Sequence, residues 1–286
     1  MSSMSRNKIA SVFLLLIGLL LLVGFLRKDD EIKPVKPTLQ STVEQTMAGS
    51  NGKYGIVIKN FKNGESYNLN EHQVFEAGSL YKLWVAATAF QKIKEGVLRE
   101  NDLLTENIET LNNVFDIASE SAELNKGTIS LTTSQALKQM ITISHNYAAL
   151  LLMKATKRSN ISKLIESYGF KESTLGDPPE TTPSDIALFL EKLYQGGLPD
   201  VDSSQKIIGF LKEQKLNDGL PKYLPGEIQV AHKTGDIGLF KHDAGIVYSP
   251  QGDYIIVVLS ESDYPPGAQE RIAFLSKAVF DYFNLP

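Results

Sequence analysis

The chain has 286 residues, a formal net charge of −4 and no cysteine, and 42% of its residues are hydrophobic against 22% charged. This ordinary globular composition excludes a disordered tail, a collagen-like chain and a disulfide scaffold, and the missing cysteine excludes a thiol nucleophile or a lipidated cysteine. The mild acidity argues against a nucleic-acid partner, and the four histidines lack the spacing of a metal site, so we expect neither a metal nor another cofactor.

The first feature in chain order is an uncharged apolar run over residues 9–26. As a helix it would be about 27 Å long, close to the hydrocarbon thickness of a bilayer. The residues at its end suit signal-peptide cleavage poorly, so we predict an uncleaved signal-anchor over residues 1–28, with a cleaved and secreted form as the alternative. Residues 29–38 carry charges and two prolines and are predicted to be an extended tether to a domain spanning 39–286.

The domain begins with strand signals, continues with helix signals and returns to strands. Residues 55–69 predict a β-hairpin around Asn63-Gly64, and apolar residues at three- and four-residue steps predict a helix over 79–96. Further predicted helices lie at 134–143, 146–156, 161–168 and 184–194, strands at 227–232, 244–248 and 254–259, and a closing helix at 269–283. We therefore predict an α+β fold, with one antiparallel sheet built from both chain ends and an inserted all-helical subdomain.

Ser79 and Lys82 form an S-x-x-K pair at the start of the first of these helices. Residues three apart share a helix face, so the amine can meet the hydroxyl and remove its proton once burial lowers the pKa of the amine. The same S-x-x-K spacing also occurs at Ser5 and Ser203, so this motif alone is weak evidence for a catalytic serine. The alternative is a helix N-cap followed by a solvated lysine.

Two further motifs follow along the chain. Ser144-His145-Asn146 lies between two predicted helices, where a hydroxyl can relay a proton and a carboxamide can hold an amide; the alternative is a helix cap. Lys233-Thr234-Gly235 ends a predicted strand, where an amine and a hydroxyl can bind a carboxylate and a glycine admits close approach of a ligand; the alternative is a surface lysine before a turn.

The three motifs together are far more specific than any one of them. In this order and context they are the signature of serine acyl-transfer enzymes that act on β-lactams or D-Ala-D-Ala peptides. Here the chain resembles the class A β-lactamase family and its penicillin-binding relatives. The resemblance covers residues from about Tyr54 to the C-terminus, including the segments 75–83, 140–149, 181–185, 232–235 and 242–248.

The resemblance implies a mechanism and a set of roles. Ser79 attacks the lactam carbonyl, Lys82 is its base, and Ser144 passes a proton to the leaving nitrogen. Asn146 contacts the substrate amide, while Lys233 and Thr234 bind its carboxylate beside Gly235. The backbone N–H groups of Ser79 and Asp236 form the oxyanion hole. The implied substrate is a small β-lactam or a cell-wall peptide, the implied location of the catalytic domain is outside the cytoplasm at the cell membrane, and we expect a monomer.

The sequence departs from the family in the loop that carries the deacylating glutamate. Residues 171–183 are too short to hold that loop, and none of Glu172, Asp177 and Glu180 matches its motif. Acylation can therefore survive while hydrolysis fails, which leaves three functions open: a β-lactam hydrolase, a D-Ala-D-Ala carboxypeptidase or transpeptidase, and a β-lactam sensor that stays acylated.

Two smaller departures concern substrate contacts. His145 replaces the usual aspartate of the second motif. Many members of the family also carry a carboxylate-binding arginine on the strand after the third motif, and here Ala244 occupies the corresponding stretch. The only later arginine is Arg271, which leaves Lys241 as the candidate substitute.

Overall fold

The computed structural model describes residues 37–284. The predicted anchor and nearly all of the predicted tether lie outside these residues, so the domain division and the membrane attachment stay predictions. Within residues 37–284, no helix combines the length and apolar character needed to span a bilayer.

A five-stranded antiparallel sheet unites the two ends of the described chain. Its strands are β1 (Lys53–Asn60), β2 (Ser66–Leu69), β7 (Gln229–Ile237), β8 (Phe240–Tyr248) and β9 (Tyr254–Glu261). They lie in the order β2-β1-β9-β8-β7, and every neighbouring pair is antiparallel. The predicted α+β fold is thus confirmed, and β7 forms one edge of the sheet.

The alternation of side chains in β9 explains why the sheet carries helices on both faces. Ile255, Val257 and Leu259 are buried against the inserted helices, while the residues between them are buried against the two terminal helices. The terminal helices are α1 (Leu39–Met47) and α9 (Pro265–Asn284). A strand buried on both faces needs a continuous apolar run, which residues 254–259 supply.

The insertion between β2 and β7 is mainly helical. Its helices are α2 (Lys82–Lys94), α3 (Ile108–Val114), α4 (Thr133–Thr142), α5 (Asn146–Thr156), α6 (Arg158–Ser167), α7 (Pro183–Tyr194) and α8 (Val201–Lys212). Polar caps fix several starts: Thr132 and Gln135 form a capping box before α4, and the Thr182 hydroxyl accepts from Asp185 N with Pro183 in the first turn of α7. Nine consecutive residues at the start of α2 are buried, which makes it the central helix of the insertion.

The insertion also contains two short antiparallel pairs, so the prediction of an all-helical subdomain is too simple. The pairs are β3 (Phe75–Glu76) with β6 (Glu180–Thr181), and β4 (Leu103–Asn107) with β5 (Thr128–Thr132). Every second residue of β4 and β5 is exposed, so their alternation is short and largely polar, and only Leu104, Ile129 and Leu131 pack inward. Such weak alternation gives little strand signal.

Candidate active site

The serine of the first motif lies in a 3-10 turn, Gly78–Tyr81, that leads directly into α2. In a 3-10 helix, side chains three residues apart eclipse each other. This geometry places the Lys82 amine above the Ser79 hydroxyl, with Lys82 Nζ 3.0 Å from Ser79 Oγ. The helix starts slightly later than predicted, and Ser79 makes no side-chain capping bond, so the alternative of a simple N-cap does not describe it.

The turn is held against the sheet edge and against the loop before α7. The Ala77 backbone N–H donates to Pro179 O at 2.8 Å, next to the pairing of β3 with β6. Gly78 has a φ of +48°, and a β-carbon there would lie 3.4 Å from the backbone nitrogen of Asp236 in β7. The start of the turn therefore lies against the strand that carries the third motif.

Lys82 is fully buried and is the centre of the site. Its amine donates to Ser144 O at 2.7 Å and to Asn146 Oδ1 at 2.6 Å, and lies 3.1 Å from Ser144 Oγ. The two shortest contacts go to oxygens that can only accept, so they use both N–H groups of a neutral amine and leave its lone pair for the hydroxyls of Ser79 and Ser144. The amine is thus arranged as a base.

The protonation of Lys82 is set mainly by its burial. Loss of hydration disfavours the charged form and lowers the pKa of Lys82 from 10.5 to about 7, although the charge of the Glu123 carboxylate acts in the opposite direction. A substantial fraction of the amine is therefore neutral near neutral pH, as proton abstraction from a serine requires.

Ser144 connects the two buried lysines. Its hydroxyl lies 3.0 Å from Lys233 Nζ and 3.1 Å from Lys82 Nζ, in the connection between α4 and α5. The backbone of Ser144 has a φ of +56°, a left-handed conformation that costs a non-glycine residue on the order of 1–3 kcal/mol. In this conformation both the hydroxyl and the backbone carbonyl of Ser144 face the site.

His145, the departure in the second motif, caps α5. Its Nδ1 accepts from the Ala148 backbone N–H at 3.3 Å, so Ser144 is not the cap and its hydroxyl stays available. Asn146 begins the helix and extends the site outward, since its Nδ2 donates to Glu123 Oε1 at 2.5 Å. The sequence prediction omitted Glu123, because it lies in an irregular segment with no motif.

Lys233 lies in β7 with its amine on the site side of the sheet. It is fully buried, and it donates to Thr234 O at 2.8 Å in addition to its contact with Ser144. Burial lowers the pKa of Lys233 well below 10.5, and the neighbouring Lys82 charge lowers it further, whereas Asp243 opposes both effects. The strand runs through the whole motif to Ile237, beyond the predicted end at residue 232, because every residue from 229 to 237 pairs with β8.

Thr234 and Asp236 line a cavity of about 180 Å³ beside α9, which Lys241 also lines. Lys241 forms an ion pair with Asp236, its partner across the β7–β8 hairpin.

Gly235 lies where the 3-10 turn of Ser79 approaches β7, and a β-carbon at this position would lie 3.0 Å from Ala77 O. Ala244 is buried in the core, and Arg271 donates to Thr46 O, so neither takes part in the site.

The acidic residues of the short loop take no part in the hydrogen bonds around Ser79. Glu172 binds His72 and Thr182, while the Asp177 and Glu180 side chains are exposed. Within residues 37–284, no carboxylate hydrogen-bonds to Ser79 or Lys82; Glu123 reaches the cluster only through Asn146. The described part of the chain also lacks any group of three or more histidine, aspartate or glutamate residues placed to hold a metal ion.

A model of the beta-lactamase enzyme family matches residues 38–283. The structure of PBP-A is 27% identical with a TM-score of 0.77, covering 86% of this chain and 95% of PBP-A. A PBP-A mutant captured as its acyl-enzyme complex with penicillin G is 26% identical, with a TM-score of 0.76 and the same coverage of both chains.

A beta-lactamase from Sphaerobacter thermophilus shares the fold. It is 23% identical with a TM-score of 0.75, and the match covers 87% of this chain and 97% of that one. No curated protein matches the sequence.

Proposed function

Because the chain belongs to the beta-lactamase enzyme family, and is thus a serine hydrolase of that type, we propose that it opens β-lactam amides through an ester formed on Ser79. Ser79 Oγ attacks the lactam carbonyl carbon while Lys82 Nζ takes its proton. The backbone N–H groups of Ser79 and Asp236 face the oxyanion. The C–N bond then breaks, and the ring nitrogen receives a proton through the Ser144 hydroxyl.

The observation that carries this proposal is the buried cluster of two amines and two hydroxyls. Lys82 Nζ lies 3.0 Å from Ser79 Oγ, and Ser144 Oγ lies within 3.1 Å of both lysine amines. A proton can pass from the attacking oxygen to the side of the leaving nitrogen without leaving the cluster. Lys233 and Thr234 bind the substrate carboxylate, and Gly235 lets the strand backbone approach the substrate closely. Asn146 Nδ2 donates to the acyl amide of the substrate.

Hydrolysis of the resulting ester needs an activated water. Since no carboxylate of the described residues contacts Ser79 or Lys82, we propose that deacylation is the slow step. A general base typically contributes about 10²- to 10⁴-fold to such a step. The enzyme would therefore show a rapid first turnover followed by a much slower steady state.

The same missing carboxylate favours a second candidate, a D-Ala-D-Ala carboxypeptidase or transpeptidase. In that function the natural acyl group comes from a cell-wall peptide, and a β-lactam leaves a long-lived ester. A mutant of PBP-A, 26% identical to this chain, was captured as an acyl-enzyme complex with penicillin G, which supports a stable ester. A β-lactam sensor would share the stable ester but would release no D-alanine.

The test mixes the purified protein with a chromogenic cephalosporin and follows colour and covalent labelling together. The β-lactam proposal expects a burst of one equivalent and a slow steady state, both absent in Ser79→Ala. Ser203→Ala is the matched control, because Ser203 and Lys206 form a second S-x-x-K spacing outside the site. Labelling that persists in Ser79→Ala would overturn the proposal, and D-alanine release from a pentapeptide would favour the peptidase.

We also propose that residues 1–28 anchor the protein in the cell membrane with the catalytic domain outside the cytoplasm, where β-lactams and cell-wall peptides occur. Membrane fractionation with protease treatment of intact cells tests this location. A soluble cytoplasmic protein would contradict it.

A further inference from the structure

His242 is a buried imidazole beneath the site that the proposed mechanism does not use. It lies in β8 directly opposite Gly235, and only 3% of its surface is exposed. Its ring packs against Phe75 in a T-shaped arrangement and against Phe240 at a tilt, with centroid separations of 6.0 and 5.9 Å. A β-carbon at Gly235 would lie 3.0 Å from its Cδ2 atom, so the ring supports the strand at the third motif.

Both ring nitrogens are hydrogen-bonded, and the partners fix the tautomer. Nε2 lies 2.8 Å from Glu76 O, which can only accept, so Nε2 carries the proton. The Ser260 backbone N–H donates to Nδ1 at 3.1 Å, so Nδ1 is unprotonated. His242 is therefore neutral, and its burial lowers the pKa to about 4. Through these two hydrogen bonds the ring connects Ser260 in β9 to Glu76, which lies three positions before Ser79.

The contact with Glu76 matters because of where the main chain goes next. Glu76 ends β3, Ala77 follows, and the 3-10 turn with Ser79 begins at Gly78. Ala77 O would be 3.0 Å from a β-carbon at Gly235, and Gly78 faces the backbone nitrogen of Asp236. The two N–H groups proposed to hold the oxyanion thus belong to segments that meet at His242 and Gly235.

We propose that His242 is a positioning residue that sets the separation of the Ser79 and Asp236 N–H groups by holding Glu76 from beneath the strand. This inference rests on the proposed function, since it concerns the oxyanion of that reaction. Moving one oxyanion donor out of place reduces the rate of an acyl-transfer step by up to about 10²- to 10³-fold. Substrate binding before the covalent step depends on other groups and should change little.

Two substitutions separate the two bonds of the ring. His242→Asn keeps an oxygen near Nδ1 to accept from Ser260 but has no donor that reaches Glu76, whereas His242→Gln places an amide donor near Nε2. His242→Phe keeps the shape and loses both bonds. His72→Gln is the control, because His72 is exposed and pairs with Glu172 away from the site.

The experiment measures three quantities for each variant: the dissociation constant before acylation, the acylation rate constant by stopped flow, and the inhibition constant of phenylboronic acid. The boronic acid adds to the serine and puts an oxygen where the oxyanion forms. We expect His242→Asn and His242→Phe to lower the acylation rate and the boronic acid affinity by at least about tenfold, with the dissociation constant changed by less than about threefold. His242→Gln should recover most of both.

A purely structural role predicts something different: lower melting temperatures, with unchanged rate and boronic acid affinity per folded molecule, and that result would overturn the inference. Equal losses in His242→Gln and His242→Asn would also overturn the inference.

If His242→Asn and His242→Phe do not fold, the tautomer of the wild-type protein still tests the inference. A ¹H–¹⁵N spectrum of the His242 imidazole must show the proton on Nε2, and a proton on Nδ1 would contradict the inference. If the wild-type protein itself is not acylated, the proposed function fails, independently of His242.

Discussion

The amine of Lys82 lies 3.0 Å from the hydroxyl oxygen of Ser79, while its two shortest hydrogen bonds go to Ser144 O and Asn146 Oδ1. Two acceptors occupy the N–H groups of a neutral amine, so its lone pair is left for the hydroxyls of Ser79 and Ser144, of which Ser79 is the nearer. Burial keeps this neutral form accessible near pH 7. The pair therefore links the protonation of one lysine to the reactivity of one serine.

The first prediction concerns the pH dependence of acylation. In the proposed mechanism the neutral amine of Lys82 is the active form, so the acylation rate should rise as pH increases through about 7 and then level off. Lys82→Ala should lower the rate by about 10²- to 10⁴-fold and abolish this limb. Stopped-flow labelling from pH 5 to pH 9 measures both, with Lys206→Ala as the control. A flat profile in the wild-type protein would contradict the role of Lys82 as base.

The second prediction concerns stability. The pKa of Lys82 is about 7 in the folded protein and 10.5 in the unfolded chain, so between these values the unfolded state binds one more proton. The free energy of unfolding should therefore rise with pH in this window by up to about 1.4 kcal/mol per pH unit, and this contribution should level off below pH 7.

The matched comparison for this slope is Lys82→Met, which removes the titrating amine but keeps its apolar stem. Lys233 contributes with the same sign in both proteins, but the Lys82 charge also lowers the pKa of Lys233, so the difference between the denaturant-unfolding curves reports Lys82 together with its effect on Lys233. A difference that stays constant from about pH 7.5 to 9.5 would show that Lys82 titrates as an ordinary surface lysine.

The third prediction separates the hydroxyl of Ser144 from its backbone. Ser144→Ala and Ser144→Gly both lose the proton relay and should acylate about 10²-fold more slowly. Glycine tolerates the φ of +56° without strain, so Ser144→Gly should be more stable than Ser144→Ala by about 1 kcal/mol. Thermal unfolding and stopped-flow labelling measure the two effects. Wild-type acylation in either variant would exclude the relay.

The fourth prediction concerns Glu123, the carboxylate at the outer end of the cluster. Its charge raises the pKa of Lys82, and it accepts from Asn146 Nδ2. Glu123→Gln keeps an acceptor but removes the charge, so the acid limb of the acylation profile should move to lower pH. The exposed Glu120→Gln on the same segment is the control. A shift to higher pH would contradict the electrostatic coupling.

Much of the fold could be predicted from periodicity. The hairpin around Asn63-Gly64, the helix at 146–156 and the apolar strand at 254–259 occur where their patterns indicate, because each has a strong local signal. The strand over 229–237 was predicted too short, since Lys233, Gly235 and Asp236 interrupt its apolar alternation. Its length comes from pairing with β8, which is not a local property of the sequence.

The candidate site likewise has one part that follows from local spacing and another that depends on tertiary packing. Spacing alone could place Lys82 above Ser79, because three residues make one turn. The convergence of Lys233 and Ser144, 89 residues apart, depends on tertiary packing. Glu123 carries no motif, and its contact with Asn146 exists only once the insertion has folded on itself. The contact of His242 with Glu76 exists only after the insertion packs against the sheet.

The central claim is that Ser79 forms a covalent ester with a β-lactam. Intact-protein mass spectrometry after mixing with penicillin G tests it most directly, over times from seconds to hours, with Ser79→Ala and Ser203→Ala in parallel. We predict one adduct with the full mass of the penicillin in the wild-type protein and in Ser203→Ala, decaying slowly, and none in Ser79→Ala. No adduct in the wild-type protein with no turnover of penicillin G, or an adduct that persists in Ser79→Ala, would contradict the account.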